Sequence, residues 1–381
     1  MNIQENVIIE RLKKARTDLK LSGDEVAKKI GKSDNSFISR LENGKQKLNI
    51  EIINELCRVY QLNPAALFAS SIASIPTTDK RRGFLDNLAY RSDSEEMTES
   101  VKQEIKNVLP ILRKIGKVMR RLDESPLTLT DFFCQSAELL NPSSLQEAQR
   151  LGKKVAIELR KHLNLGVAPI ADIQNLVWHF IKVPICSLDL GENCWGIYNK
   201  DASGNPLIIY SSSHNTKQRN IFTIAHELGH HFFFPEEPSV DTDNSNNSLK
   251  EKLANAFAQE LLVPIDSLLQ YIQEEGLLLI ELQQKHLVPL CQYFKVSYSM
   301  MSFVLYDNNL IKKEKYHELK KYDSILLKSF GYTPEKYMTD SVNLNFLLQN
   351  LIAKGVRTEK FSYLFASEML DMTQQEVKTI V

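Results

Sequence analysis

Residues 223–233 read Thr223-Ile224-Ala225-His226-Glu227-Leu228-Gly229-His230-His231-Phe232-Phe233. On an α-helix, positions i and i+4 share one face, so the imidazoles of His226 and His230 are predicted to lie side by side. Two such imidazoles can hold one zinc ion, with Glu227 beside them as a general base. Apolar residues recur at helical spacing through this stretch, at Ile221, Ala225, Leu228 and Phe232. The pattern therefore predicts a buried helix that carries a metal site.

Gly229 stands inside this helix, where glycine costs about 1 kcal/mol relative to alanine. We expect it to let another backbone come close to the helix. A pair of ordinary helix histidines is the alternative interpretation of His226 and His230, and a third ligand is the feature that separates the two.

The third ligand is sought in a second helix, because a catalytic zinc takes three protein ligands and leaves one position for water. Residues 249–262 form an apolar helical stripe that ends before Pro264. Glu251 falls in the first turn of this helix and is the candidate ligand. Asn255 follows one turn later on the same face, where it can hydrogen-bond a ligand histidine and orient its ring. A solvated glutamate favoured by the helix dipole is the alternative for Glu251.

Other nearby candidates fit less well. His231 directly follows His230 and points about 100° away around the helix. Glu236 and Glu237 come after Pro235, beyond the expected helix end. Glu260 lies nine residues past Glu251, on a different part of the second helix. Glu251 therefore remains the preferred third ligand.

These two helices resemble the ImmA/IrrE family of bacterial zinc metallopeptidases. The family pairs His-Glu-x-x-His with a later Glu-x-x-Ala-Asn-x-Phe-Ala-x-x-Leu-Leu-x-Pro signature. The second motif is matched here by Glu251, Ala254, Asn255, Phe257, Ala258, Leu261, Leu262 and Pro264. Residues 155–160 and Arg219 also match, and the likeness covers roughly residues 150–310. The resemblance implies that His226, His230 and Glu251 bind Zn²⁺ in a gluzincin-like site and that Glu227 activates water.

The implied reaction is peptide hydrolysis. Zinc lowers the pKa of bound water to about 7 and polarises the scissile carbonyl. Glu227 takes the proton from water and delivers it to the leaving amine. Upstream, the apolar run Leu207-Ile208-Ile209-Tyr210 predicts a strand. We expect its edge to be able to hold an extended peptide substrate.

The first 69 residues carry a second signal, a series of short helices joined by tight turns. Ser22 and Glu25 have the spacing of a capping box, which predicts a helix start. Residues 21–44, with the closing Leu62-Asn63-Pro64, resemble the XRE/Cro-like helix-turn-helix family. Gly23 stands where that family usually has a glutamine that can touch DNA.

The resemblance implies operator binding through residues 22–47, with residues 34–40 in the major groove. The candidate DNA contacts are Asn35, Ser36, Ser39, Arg40, Lys45 and Lys47. Residues 1–70 contain twelve Lys and Arg against nine Asp and Glu, a modest positive surplus. A helical module that binds protein instead of DNA is the alternative.

The rest of the composition is that of an ordinary folded chain. Lys and Arg together number 47, as do Asp and Glu, so the net charge favours no partner. No run of 18 apolar residues and no signal peptide are found. The five cysteines show no Cys-x-x-Cys pair, which predicts reduced thiols in a cytoplasmic protein.

Residues 99–123 carry an a/d heptad seam that contains one proline, Pro110. The seam residues are Val101, Ile105, Val108, Leu112, Ile115, Met119 and Leu122. Two interpretations stay open. The helix packs against another part of this chain, or it is a dimerisation helix that would suit a homodimer reading paired half-sites.

The predicted fold is mainly α with a small β-sheet in the peptidase domain (α+β). The expected divisions are an all-α helix-turn-helix domain at 1–69, a linker at 70–98, a helical connector at 99–148, the peptidase domain at 149–311 and a helical region for packing or partners at 312–381. The resulting hypothesis is a zinc metallopeptidase that regulates transcription by cleaving a helix-turn-helix repressor, as in stress responses. The alternative is a non-cleaving regulator or antitoxin-like binding protein whose peptidase-like domain senses a ligand or partner.

Overall fold

The chain folds as two compact units, Met1–Gly83 and Phe84–Val381. The computed structural model describes residues 8–9, 12–14, 16–17, 21–30, 32, 36–43, 45–46, 50–60, 99–133, 142–191, 194–212, 216–237, 239–242, 248–322, 324–333 and 343–380. The linker expected at 70–98 lies outside these residues.

The described part of the N-terminal unit is helical, with α1 at Gly23–Lys29, α2 at Phe37–Glu42 and α3 at Ile50–Val59. The predicted capping box starts α1. The Ser22 hydroxyl accepts the Glu25 N–H at 3.2 Å, and the Glu25 carboxylate accepts the Ser22 N–H at 2.8 Å. Apolar faces of the helices share a small core that includes Leu12, Val26, Ile38, Leu41 and Leu56. This arrangement confirms the all-α prediction for the N-terminal unit.

The larger unit is also mainly helical. Its helices are α4 (Glu99–Leu122), α5 (Leu129–Phe132), α6 (Leu145–His162), α7 (Ile173–Asn175, continued by a π-helical turn at Leu176–Ile181), α8 (Lys217–Phe233), α9 (Leu249–Leu262), α10 (Ile265–Glu274), α11 (Gln284–Phe294), α12 (Tyr298–Asp307), α13 (Lys313–Lys320), α14 (Ser324–Ser329), α15 (Leu344–Arg357), α16 (Tyr363–Leu370) and α17 (Gln374–Ile380). A short 3-10 helix at Leu279–Glu281 separates α10 from α11.

One small sheet completes this unit, which confirms the predicted α+β class. Its strands are β1 (Ile185–Leu188), β2 (Cys194–Lys200), β3 (Pro206–Ser211) and β4 (Ser239–Thr242), in the order β1-β3-β2-β4. Strand β1 runs parallel to β3, whereas β2 is antiparallel to both β3 and β4. The edge strands are therefore β1 and β4.

The expectation that the run at Leu207 offers a free strand edge is wrong. The run does form a strand, β3, but β3 pairs on one side with β1 and on the other with β2. All six of its residues are buried. An unbroken apolar run is what a strand covered on both faces requires, but burial of the faces does not tell which edges of the strand are paired.

Two hydrophobic cores cover the two faces of the sheet. Alternate residues of a strand point to opposite faces. Accordingly, Tyr198 and Ile208 join a core shared with α6, α8 and α9, whereas Ile197, Leu207 and Ile209 join a core shared with α4 and α15. The sheet thus separates the two helical layers of this unit.

The heptad seam of α4 is buried against other helices of the same chain. Six of its seven residues are buried in the second core, namely Val101, Ile105, Leu112, Ile115, Met119 and Leu122. Helices α15 and α16 supply the opposite side of that core with Leu348, Ile352 and Phe365. This arrangement favours packing against another part of the chain. The apolar seam that a dimerisation helix would need is already buried within the chain.

Polar contacts join α4 and its end to the same C-terminal helices. Lys360 Nζ lies 3.0 Å from Asp123 Oδ2, and Lys354 pairs with Glu124. The Arg121 guanidinium lies 4.1 Å from the centre of the Phe365 ring. The C-terminal region is therefore tied to the connector helix by charged groups as well as by its apolar face.

Cys57, Cys186, Cys194 and Cys291 are free thiols, as predicted, whereas Cys134 lies outside the described residues. None of the helices in the described part of the chain combines the length and the apolar character that a membrane span requires.

Candidate metal centre

Helix α9 lies close against both α6 and α8, and a glycine stands at each contact. A Cβ placed on Gly229 of α8 would lie 3.0 Å from Ala254 Cα, so Gly229 lets the backbones approach as predicted. A Cβ on Gly152 of α6 would lie 2.5 Å from the Leu253 carbonyl oxygen. These close approaches bring side chains of α8 and α9 to a common site.

One stripe of α8 carries aromatic rings at intervals of four residues. Phe222, His226 and His230 follow one another along it, and Phe234 continues the series just past the helix end. The imidazole centres lie 4.8 Å apart. The Phe222 ring lies 6.1 Å from His226, and the Phe234 ring lies 6.2 Å from His230. The two imidazoles are therefore enclosed by a half-buried phenylalanine at each end.

His226, His230 and Glu251 converge at one point, with their donor atoms within 4.8 Å of one another. His226 Nε2 lies 3.1 Å from His230 Nε2 and 3.1 Å from Glu251 Oε2. His230 Nε2 lies 3.4 Å from Glu251 Oε1. Ligand atoms about 2.05 Å from a tetrahedral zinc stand about 3.3 Å apart. The spacing and the two-histidine, one-carboxylate donor set thus fit a zinc ion.

Asn255 orients the first histidine. His226 Nδ1 donates to Asn255 Oδ1 at 3.0 Å, because an amide oxygen can only accept. In a neutral imidazole this leaves the lone pair on Nε2, the nitrogen that faces the candidate ligand atoms of His230 and Glu251. The Asn255 contact therefore selects the tautomer that a metal needs.

Glu251 is held where the sequence places it, in the first turn of α9. The hydroxyl of Ser248, the N-cap, accepts the Glu251 N–H at 3.2 Å. Burial acts to raise the pKa of Glu251, but hydrogen bonds and positive charge from His226 and His230, in the protonated forms that these imidazoles take without a metal, outweigh it. The pKa of Glu251 therefore lies well below its ordinary value, and the group is a carboxylate.

A second stripe of α8 faces strand β2 and also advances by four residues: Arg219, Thr223, Glu227 and His231. The Arg219 guanidinium lies 4.8 Å from the Trp195 ring centre, and the His231 ring lies 5.6 Å from that of Tyr198. Between them, a Cβ placed on Gly196 would lie 2.4 Å from Thr223 Cγ2 and 3.0 Å from Glu227 Oε1. Glu227 is thus fully buried under β2, beside the stripe that carries His226 and His230.

The competing candidates are engaged elsewhere. His231 Nε2 donates to the Leu127 carbonyl at 2.9 Å, on the side of α8 that β2 covers. Burial lowers the pKa of His231 to about 4, so this imidazole is neutral at pH 7. Glu236 pairs with Lys200 at 2.9 Å, and Glu237 pairs with Lys250. Glu260 accepts the Ile265 N–H at 3.2 Å.

The candidate DNA contacts are only partly described. Helix α2 buries Phe37, Ile38 and Leu41. Ser36, Ser39 and Lys45 are exposed and Arg40 is half-buried, with its guanidinium donating to Ser36 Oγ at 2.8 Å. Asn35 and Lys47 lie outside the described residues. The described candidates are thus accessible on the unburied side of α2 and just after it.

Sequence patterns do not point to Ser239, Gly196 or Tyr198, which surround Glu227 and His231. The Ser239 hydroxyl donates to Glu227 Oε2 at 2.5 Å. Ser239 begins a strand of four residues, which is too short to give a periodic signal. The need for glycine at position 196 becomes evident only from the Thr223 and Glu227 side chains packed against it. Their contribution depends on strand pairing, which local spacing does not reveal.

Comparison with known proteins agrees with this geometry. Residues 182–306 match the peptidase family described as the IrrE N-terminal-like domain, and residues 12–67 match a helix-turn-helix family. Over 126 residues the chain is 32% identical to the protein named Metallopeptidase ImmA of Bacillus subtilis (strain 168), an alignment that covers 32% of this chain and 69% of that protein. The chain therefore belongs to the ImmA/IrrE family of peptidases and carries an XRE-type helix-turn-helix domain in addition.

Proposed function

We propose that this chain is a zinc-dependent metallopeptidase that regulates transcription by site-specific cleavage of a regulatory protein. The observation that carries the proposal is the convergence of His226, His230 and Glu251 at ligand spacing, with Glu227 adjacent to His226. A metal site that serves structure alone has no use for a carboxylate base beside it.

Each residue has a separate task in this proposal. His226, His230 and Glu251 would hold the metal, and Asn255 would keep the His226 ring in its metal-binding tautomer. When bound, zinc supplies Lewis-acid polarisation of a peptide carbonyl and activation of water. Glu227 accepts the proton of the attacking water and passes it to the leaving amine. Burial of Glu227 under β2 keeps bulk water away from this transfer.

The helix-turn-helix domain points to a regulatory substrate. We propose that Ser36, Ser39, Arg40 and Lys45, with Asn35 and Lys47, contact an operator, as side chains at such positions do in related folds. A peptidase fused to such a domain acts on few substrates near DNA, and a helix-turn-helix repressor is the substrate class we favour, cut in trans or in the chain's own linker. We place this action in the cytoplasm and in a stress response. We keep the proposed divisions at 1–69, 70–98, 99–148, 149–311 and 312–381.

Co-expression with helix-turn-helix repressors encoded near this gene tests the proposal. Glu227→Gln preserves the size of the side chain but removes the base, so zinc should be retained while cleavage falls by at least about 100-fold. The matched control is Glu158→Gln, which changes a surface glutamate paired with Lys161 on α6. The readout is the repressor fragment on a gel, with its new terminus identified by mass spectrometry.

The outcomes separate the two candidate classes. Equal cleavage by wild type and Glu227→Gln would remove Glu227 from its role. A repressor that stays intact with every variant, yet leaves its operator when the wild-type chain is present, would favour the non-cleaving regulator.

A further inference from the structure

Strand β4 lies at the edge of the sheet closest to the candidate base. Among the described strands it pairs with β2 alone, and Ser239 stands opposite Tyr198 in that pairing. Ser239 is 8% exposed, so its hydroxyl is a buried polar group that needs a partner. That partner is Glu227.

The contact between Ser239 and Glu227 is short and charge-assisted. Ser239 Oγ donates to Glu227 Oε2 at 2.5 Å, at the short end of the range for a hydroxyl on a carboxylate. Such bonds are roughly twice as strong as those between neutral groups. The hydroxyl therefore fixes the position of one carboxylate oxygen.

Strand β2 restricts the same side chain from another direction. A Cβ on Gly196 would lie 3.0 Å from Glu227 Oε1 and 3.1 Å from Glu227 Cγ, so only a glycine leaves this space to the glutamate. Thr223, one turn earlier on α8, is buried beside it. Glu227 is thus restrained by backbone packing along its stem and by the Ser239 hydroxyl at its tip.

We propose that Ser239 is a positioning residue for Glu227. Its hydroxyl keeps the carboxylate in one orientation beside the metal-binding triad, so that proton transfer starts from an aligned base. In this proposal Ser239 acts through Glu227 and not as a ligand of the metal. The proposal rests on the proposed peptidase function, since it assigns Ser239 a role in that reaction. Hydrogen bonds that orient groups at a metal site typically contribute about 10–100-fold to activity.

Three serine variants provide the test. Ser239→Ala removes the hydroxyl, Ser239→Thr keeps it on a side chain suited to a strand, and Ser187→Ala is the matched control on the opposite edge strand, β1. Zinc content and the thermal unfolding midpoint are measured for each, so that loss of fold is recognised separately. Kinetics use the repressor that the co-expression experiment identifies.

The expected result for Ser239→Ala is one zinc per chain, KM within about twofold of wild type and kcat lower by about 10–100-fold. Ser239→Thr should return kcat to within about threefold, and Ser187→Ala should match wild type. A purely structural serine would change the unfolding midpoint but not kcat alone. Unchanged kcat in Ser239→Ala, or no recovery of kcat in Ser239→Thr, would overturn the proposal. A higher kcat in Ser239→Ala would also overturn it, because the hydroxyl would then hinder the reaction.

A binding measurement keeps this test independent of cleavage. Acetohydroxamic acid can give its hydroxyl proton to an adjacent base and chelate zinc as the resulting hydroxamate, so an aligned Glu227 should strengthen its binding. Calorimetric titration of the zinc-loaded proteins should show affinity about tenfold lower in Ser239→Ala and recovered in Ser239→Thr. Equal affinities would overturn the role of Ser239 even if wild type cleaves the repressor. Absence of cleavage with a clear difference in affinity would contradict only the peptidase function.

Discussion

At the scale of single residues, one step along α8 decides what a histidine does. His230 points to Glu251, whereas His231, the next residue, points to the Leu127 carbonyl and the Tyr198 ring. The helical turn of about 100° per residue separates the two environments. Burial then lowers the pKa of His231 and keeps it neutral, so the helix carries a candidate metal ligand and a structural imidazole side by side.

Zinc binding is predicted to depend on His226 and His230 and not on His231. Purified protein should contain about one zinc per chain, and replacing His226 and His230 together by alanine should abolish it, because one carboxylate cannot hold the ion. The measurement is metal analysis by mass spectrometry after gel filtration.

The exposed His317 provides the control, since His317→Ala removes an imidazole without touching the site. Zinc retained by the double variant at the level of His317→Ala would place the metal elsewhere in the chain.

At the scale of elements, the site depends on how closely three helices pack. Helix α9 carries Glu251 and Asn255, and it lies against α8 at Gly229 and against α6 at Gly152. Arg160 of α6 adds a polar tie, donating to the Leu261 carbonyl at 2.6 Å. Displacement of α9 by a few tenths of an ångström would alter the spacing of the three donor atoms.

Gly152→Ala is predicted to destabilise the larger unit. In an exposed helix interior, glycine to alanine stabilises by about 1 kcal/mol. Here the new Cβ would lie 2.5 Å from the Leu253 carbonyl oxygen and 2.9 Å from the Phe257 nitrogen, and backbone atoms cannot easily move aside. We expect a net loss of about 1–3 kcal/mol in the free energy of unfolding, measured by urea titration.

Arg150→Ala serves as the comparison, because Arg150 is exposed on the same helix. Its effect should stay within about 0.5 kcal/mol. A stabilised Gly152→Ala variant would show that α6 and α9 are less closely packed than the structure has them.

At the scale of the whole molecule, the larger unit is a sheet between two helical layers, and the candidate site lies in only one of them. The second layer joins α4, which comes soon after the N-terminal unit in the chain, to α15 and α16 near the C-terminus. This layer packs on the back of β2 and β3, whereas Gly196 of β2 lies over Glu227 on the front. Contacts between residues far apart in sequence therefore support the strand that covers the candidate base.

The seam of α4 is predicted to stabilise the monomer. Ile115→Ala and Leu348→Ala should each lower the free energy of unfolding by about 2–5 kcal/mol, because both side chains are buried in the second core. Unfolding midpoints should not change with protein concentration, as they would if the seam joined two chains. Scanning calorimetry over a 50-fold concentration range measures both effects.

Phe346→Ala is the control, since Phe346 lies on the same helix as Leu348 and is 61% exposed. An unfolding midpoint that rises with protein concentration in wild type but not in Ile115→Ala would instead support the interpretation of α4 as a dimerisation helix.

Local spacing in this chain was enough for everything that lies within one helix or one cap. The i, i+4 histidines, the early position of Glu251 and the Ser22 capping box all depend on separations of four residues or fewer, which helix geometry converts directly into a shared face or a capped helix start. The buried α8 and the close approach at Gly229 follow the same logic and are confirmed. Binding of zinc and DNA at the named residues stays a prediction.

Tertiary structure alone decided which strand is an edge, what covers the α4 seam and which group holds Glu227. An apolar run such as Leu207-Ile208-Ile209-Tyr210 specifies burial but not its neighbours, so β3 became interior and β4 became the edge. A heptad seam specifies an apolar partner but not its source, and α15 supplied it from more than 200 residues away. Ser239 reaches Glu227 only through the pairing of β4 with β2. Side-chain periodicity reports the geometry of one element, whereas pairing between elements depends on the free energy of the whole packed chain.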